Sequence, residues 1–126
     1  MSYRFEQLEV WKLARQFVDV IYKITKEFPD DEKYGLTNQL RRAAVSIMLN
    51  TAEGSDRKSD KEFVRFLRIS YTSLLEVISG CYIALDQKYI SAERFDFIYK
   101  KSNILGKKIN ALVKYLKGQL NQGVSE

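Results

Sequence analysis

The chain has 126 residues, with 21 lysines and arginines against 16 aspartates and glutamates, no histidine and one cysteine, Cys81. That length fits one domain with a single core and no need of a staple. The lone cysteine excludes an internal disulfide and suits a reducing compartment, and the lack of histidine removes the usual general base and the commonest metal ligand. No apolar run approaches the ~20 residues that span a bilayer, and the opening MSYRFEQ lacks the basic-then-apolar layout of a secretion signal, so a soluble, cytoplasmic protein without membrane contact is expected.

Taken in chain order, Val10, Ala14, Phe17, Ile21, Ile24 and Phe28 recur by alternating steps of four and three, which predicts a first amphipathic helix ending near Phe28, just before the only proline, Pro29. The second helix covers residues 36–54, and Gly54 is expected to stop it in the left-handed conformation. The loop SDRKS leads to Ser59 with Glu62 three residues on, a capping-box start for a third helix over about Asp60–Asp86. Its core stripe is Phe63, Phe66, Leu67, Ser70, Leu74, Val77, Cys81 and Ala84. Ser91 is expected to cap a fourth helix that carries Phe95, Ile98, Leu105, Ile109, Leu112 and Leu116 on one face. No stretch alternates with period two, so strands are not expected. Residues 1–120 therefore read as one all-α domain, an antiparallel up-and-down four-helix bundle, and residues 121–126 as a flexible tail.

The second helix is unusual in being apolar on two sides. Leu36, Leu40, Ala43, Ile47 and Gly54 share one side, while Val45, Met48, Leu49 and Ala52 project from another. One face meets the core of a small bundle, so the other needs a partner subunit. Together with Phe97, Ile104 and Tyr115 on the fourth helix, these residues predict the interface of a homo-oligomer.

Charge is uneven as well. Residues 92–120 hold seven basic and two acidic side chains, while the remainder is balanced at fourteen of each. Lys100, Lys107 and Lys114 recur every seven residues, with Lys101 and Lys108 alongside, which predicts five ammonium groups on the side of the fourth helix away from its core stripe. Such a surface fits a phosphate backbone, with Phe97, Ile104 and Tyr115 among the lysines as stacking surfaces. The alternative is that the aromatic and aliphatic groups belong to a subunit contact and the lysines solubilise an exposed helix. Arg57, Lys58 and Lys61, between the second and third helices, are the next basic candidates.

Gln39, Arg42, Ser46, Asn50 and Glu53 fall at steps of three or four and form a polar seam between the two apolar faces of the second helix. The expected role is structural: Ser46 and Asn50 fix helix register, and Arg42 or Arg41 pairs with Glu53 or with Glu76 of the third helix in a part-buried bridge. Carboxylates without a histidine or an activated nucleophile make a poor catalytic site. No GxxxxGK[ST] or GxGxxG motif occurs, and the Glu-x-x-His pairs of di-metal bundles are impossible here. No enzyme activity, cofactor or metal is expected.

The segments FEQLEVWKLA, the Phe28–Pro29 pair, YGLTNQLRRAAVSI, NTAEGSDRKS and FVRFLRISYTSLLE resemble the bacterial four-helix-bundle proteins encoded in intervening sequences of 23S rRNA genes. The likeness extends from about Phe5 to Leu120. It implies basic pentameric rings of four-helix bundles, as in the similar accessory proteins of diversity-generating retroelements, which work with a reverse transcriptase and bind nucleic acid. Phe5, Trp11, Gln39, Arg42, Ala43, Ser46, Asn50, Ala52, Glu53, Gly54, Phe66, Leu67 and Glu76 match the family pattern. Ser70-Tyr71-Thr72 departs from the small Ala-x-Gly frequent there, and places a bulky Tyr71 near a helix contact that is tight in the family. Two functional readings stay open: an oligomeric factor that contacts RNA or DNA through the fourth helix, and an oligomeric scaffold for a protein partner whose charge only steers the encounter.

Overall fold

The apolar periodicities fold into four helices in the computed structural model, which describes residues 2–125, with side chains described through Leu120. They are α1 (Glu9–Thr25), α2 (Leu36–Ser55), α3 (Asp60–Asp86) and α4 (Ala92–Ser125), with short 3₁₀ turns at Arg4–Gln7 and Asp30–Glu32. Each helix packs on its neighbours in sequence, α2 and α3 most extensively, and the ring closes through a looser α4–α1 seam, an up-and-down bundle as expected. The tail expected over residues 121–126 lies outside the residues whose side chains are described.

The stripes read from the sequence supply the core. Val10, Ala14, Phe17, Ile21 and Ile24 of α1, the whole predicted stripe of α3, and Ile98, Leu105, Ile109 and Leu116 of α4 are buried. Phe95 and Leu112 are only partly buried and pack on the rim of this core. No buried side-chain nitrogen or oxygen among the described residues lacks a hydrogen-bond partner, as a stable interior requires.

Two helix ends differ from expectation. Helix α1 stops at Thr25, three residues short of Phe28, whose ring is still buried in the core. Thr25 Oγ1 donates to the carbonyl of Ile21 at 2.7 Å, and the residue before a proline is pushed out of helical geometry, so Phe28 cannot continue the helix into Pro29. Gly54 does not stop α2 in the left-handed region, because no glycine among the described residues has positive φ and α2 continues to Ser55. Its purpose is proximity: a Cβ on Gly54 would lie 2.6 Å from Cβ of Phe66 and 3.0 Å from Cδ1 of Phe63. The left-handed stop is instead Lys88, φ 65°, after α3. There the Lys88 and Tyr89 amides donate to the carbonyls of Leu85 and Ala84, closing a Schellman motif.

Caps act where they were expected. Ser59 Oγ accepts from the Glu62 amide at 3.2 Å and Ser91 Oγ from the Arg94 amide at 3.0 Å. The reciprocal half of the box at Ser59 is missing, since the Glu62 carboxylate turns to Arg65 at 3.1 Å. At the start of α2 the Glu32 carboxylate accepts from the Leu36 amide at 3.1 Å and from Tyr89 Oη at 2.9 Å, tying the α1–α2 link to the α3–α4 link. That hydrogen bond, with some desolvation, raises the Tyr89 pKa.

Closeness at Gly54 yields a stability test. The atom it would meet is the Cβ of Phe66, which no rotamer change can move, so Gly54→Ala should destabilise by about 1–3 kcal/mol through overpacking. Gly118 has nothing within 4 Å of its notional Cβ, and Gly118→Ala, in a helix, should stabilise by up to about 1 kcal/mol. Urea midpoints measured at equal slope check both; similar shifts of one sign would refute the close-approach account.

Candidate nucleic-acid and assembly surfaces

Because α4 buries Ile98, Leu105, Ile109 and Leu116, its lysines are left outside, and all five of those singled out are exposed. They do not form one stripe. Consecutive residues on a helix are about 100° apart, and Lys101 and Lys108 turn to the α1 side: Lys108 Nζ lies 3.4 Å from the carboxylate of Glu9, and Lys101 sits over the Phe97 ring at 5.5 Å. Lys100, Lys107 and Lys114 form the other row. Lys100 is paired with Asp96 at 3.0 Å, whereas Lys107 and Lys114 have no carboxylate within salt-bridge distance among the described residues. In the α2–α3 loop Arg57 is bound by Glu53 at 2.6 Å and stacks over Phe66 at 4.8 Å; Lys58 of the loop stands in solvent, as does Lys61, which lies not between the helices but in the first turn of α3.

The apolar candidates also divide. Phe97 and Ile104 are half-exposed and border a cleft of about 270 Å³ between α1 and α4, floored by Leu13, Phe17, Val20 and Leu105. Tyr115 is 61 % exposed farther along the same helix. On α2, Leu49 is 59 % exposed, Val45 and Ala52 are half-buried, and Met48 packs against the core. Met48 therefore leaves the outward set. It lies seven residues after Arg41, on the same side of the helix, and Arg41 reaches α1, donating to Thr25 Oγ1 at 2.8 Å, so α1 covers that side. Ile69, Leu75 and Ile83 of α3 are exposed as well. They escaped the sequence reading because each flanks the α3 stripe rather than forming a second periodic face.

The polar seam is more open than expected, and its ion pairs are different. Arg42, Gln39 and Glu53 are exposed, Glu53 is taken by Arg57, and among the described residues neither Arg42 nor Glu76 has an oppositely charged partner. Arg41 is held by Thr25 and by stacking on Tyr22 at 4.7 Å. The α2–α3 tie is made by hydroxyls: Ser46 Oγ and Ser73 Oγ are 2.9 Å apart, and Asn50 Nδ2 donates to the Ser46 carbonyl at 2.9 Å. Deeper, Ser70 Oγ donates to the Ile47 carbonyl at 3.0 Å and lies 3.1 Å from Thr51 Oγ1. Tyr71 faces the other way, its ring 3.5 Å from a Cβ placed on Gly106 of α4, so it leaves the α2–α3 contact unspread.

Burial pushes the Cys81 thiol up to about 12, which makes it a packing group and not a nucleophile. Among the described residues, no three His, Cys, Asp or Glu side chains converge as metal ligands do, and no helix is long and apolar enough to cross a membrane.

The rearranged seam changes the energetics expected of it. Arg42→Ala should cost the fold under about 0.5 kcal/mol, as for a solvated surface residue. Ser70→Ala should cost about 0.5–1.5 kcal/mol by removing a buried hydrogen bond between α3 and α2, the Ile47 carbonyl keeping the Thr51 hydroxyl as donor. Thermal or urea unfolding of the two variants checks this; a larger loss for Arg42→Ala would restore the buried ion pair.

Comparison with known proteins agrees with this architecture. A crystal structure of a protein of unknown function from the S23 ribosomal protein family of Bacteroides thetaiotaomicron superposes with a TM-score of 0.77 at 22% identity, covering 83% of this chain and 98% of that one. A likeness at that identity shows the fold. No curated protein matches the chain. Residues 6–111, most of the chain, match the family described as 23S rRNA-intervening sequence protein, and the chain belongs to that family.

Proposed function

We propose that the protein is a non-enzymatic, homo-oligomeric bundle that associates with RNA or other nucleic acid through the basic surface of α4. The observation that carries this reading is the run from Phe97 to Leu120, which has six lysines and no acidic residue, all six lysines exposed. A helix surface of one sign attracts polyphosphate by counterion release and long-range steering. Lysine offers point charges rather than the bidentate fork that reads base edges, so binding is salt-sensitive and weakly selective for sequence. The family name, which sets its members beside 23S rRNA, supports a nucleic-acid setting.

Assembly rests on the exposed aliphatic groups. Leu49, Leu75, Ile83, Phe97 and Ile104 are each about half in solvent or more, and Phe97 with Ile104 borders one apolar cleft, the kind of surface that marks an interface. A pentamer is the stoichiometry that the resemblance favours. A second reading, a scaffold for a protein partner, is favoured by the apolar cleft bordered by Phe97 and Ile104.

Converting Lys100, Lys107 and Lys114 to Gln preserves helix propensity and removes three charges. The slope of log affinity against log salt for a generic RNA should then shrink by about one unit for each of the three lysines that meets a phosphate, while stability and oligomer size hardly change. Fluorescence anisotropy across a salt series and sedimentation velocity check this. A parent protein without affinity at low salt would leave the scaffold reading, and a 14.7 kDa monomer at micromolar concentration would remove the oligomer.

A further inference from the structure

The bundle is charge-polarised along its axis. One end carries the α1–α2 and α3–α4 links: residues 26–33 and 86–96 together hold seven acidic and four basic side chains. The opposite end carries the chain start, the α2–α3 loop and the later turns of α4: residues 2–8, 56–61 and 113–120 together hold six basic and three acidic side chains. The ends are about 40 Å apart, the length of the 27-residue α3 at 1.5 Å per residue, several screening lengths at physiological salt.

Helix register brings the basic residues of that end together. Gly106 meets Tyr71 and Leu74, and Phe95 meets Tyr82 with ring centroids 4.6 Å apart. Antiparallel helices at equal rise then put Lys114 level with Arg65 and Lys117 level with Lys61, beside the loop that holds Arg57 and Lys58. Arg4 arrives there from the N-terminal segment, donating to the Ser55 carbonyl at 3.0 Å and lying over the Phe63 ring at 5.2 Å.

Ion pairing leaves free charge of opposite sign at the two ends. At the basic end Lys58, Lys61, Lys114 and Lys117 have no carboxylate partner among the described residues, while Arg57 and Arg65 are shared with Glu53 and Glu62; at the other end Lys26, Lys33 and Lys88 are likewise unpaired but stand among Asp30, Asp31, Asp86 and Glu93, which have no basic partner there. Arg57 and Arg65 flank the Phe66 ring at 4.8 and 5.1 Å. Stacking holds their guanidinium groups in place, so less side-chain freedom is lost when a phosphate is bound.

We infer that a nucleic-acid backbone is taken at this basic pole, by Arg57, Lys58, Lys61, Lys114 and Lys117, and not along the whole length of α4. The inference rests on the nucleic-acid reading above and gives it a place and an orientation: the acidic end repels the polyanion, so the strand meets the bundle end-on.

The test compares two triple variants of equal charge change, binding a fluorescein-labelled oligouridylate. Lys58, Lys61 and Lys117 to Gln should weaken binding by about tenfold or more near physiological salt and flatten the salt slope by about two units. Lys33, Lys100 and Lys101 to Gln should weaken it by less than about threefold, from the change in net charge alone. Circular dichroism and sedimentation on both variants show that fold and assembly are retained. Equal losses in the two variants would overturn the pole while leaving nucleic-acid association intact; a parent that binds no oligouridylate at low salt would overturn both.

Discussion

The contact between α2 and α3 sets the geometry of everything else. Glycine and hydroxyl residues let the two backbones approach: Gly54 sits against Phe66 and Phe63, Gly80 against Leu40, and Thr51, Ser70, Ser46 and Ser73 bridge the remainder. Van der Waals closeness and hydrogen bonding act together there. The serine and threonine hydroxyls also satisfy backbone carbonyls within their own or the facing helix, so no polar group is left stranded in the dry interior. Larger residues at these positions would separate the helices and open the core stripe to water.

A tight α2–α3 pair leaves the other two helices to close the ring, and the closure is uneven. α4 packs on α3 through Leu74, Tyr71 and Gly106, and α1 packs on α2 through Arg41, Thr25 and Tyr22. The α1–α4 seam gets what remains. Phe97 and Ile104 are half-exposed there because α1 is the shorter helix and its side of the seam presents Gln16 and Asp19 beside Leu13 and Val20. The apolar surface available to a partner is therefore a consequence of the close contact on the far side of the bundle.

Periodicity made the core legible. The alternation of four and three in α1 and the long stripe of α3 named buried residues correctly because a 3.6-residue helix repeats its faces regularly. Sequence was a poorer guide where a residue has two uses. Gly54 carries the signature of a helix stop, yet it serves helix contact, and the left-handed stop falls on Lys88, a residue type that gives no such signal. The seam around Arg42 misled for a related reason. Spacing places Arg42 and Glu53 on one line of α2, but Arg57 stands only one turn beyond Glu53 and takes its carboxylate. Lys100 and Lys101, like Lys107 and Lys108, are a helical step of about 100° apart, and it is the position of α1 that gives Lys101 and Lys108 different surroundings from the other α4 lysines.

Polarity of charge and exposure of apolar groups occupy different parts of the molecule. Leu49, Leu75, Ile83, Phe97 and Ile104 lie along the flanks, while the net positive charge lies at one end. Assembly and nucleic-acid contact need not compete for the same surface. In a cyclic oligomer with its bundles aligned along the ring axis every protomer would point the same way, and the basic ends would form one rim and the acidic ends the other. Like charges on a rim repel, and side-by-side packing of aligned rods is opposed by their own polarity, an effect that salt screens over roughly 8 Å at physiological strength. A polyanion laid on the basic rim would neutralise that repulsion. Ligand binding and assembly would then be linked, each favouring the other by the free energy through which the bound strand prefers the closed ring to separate bundles.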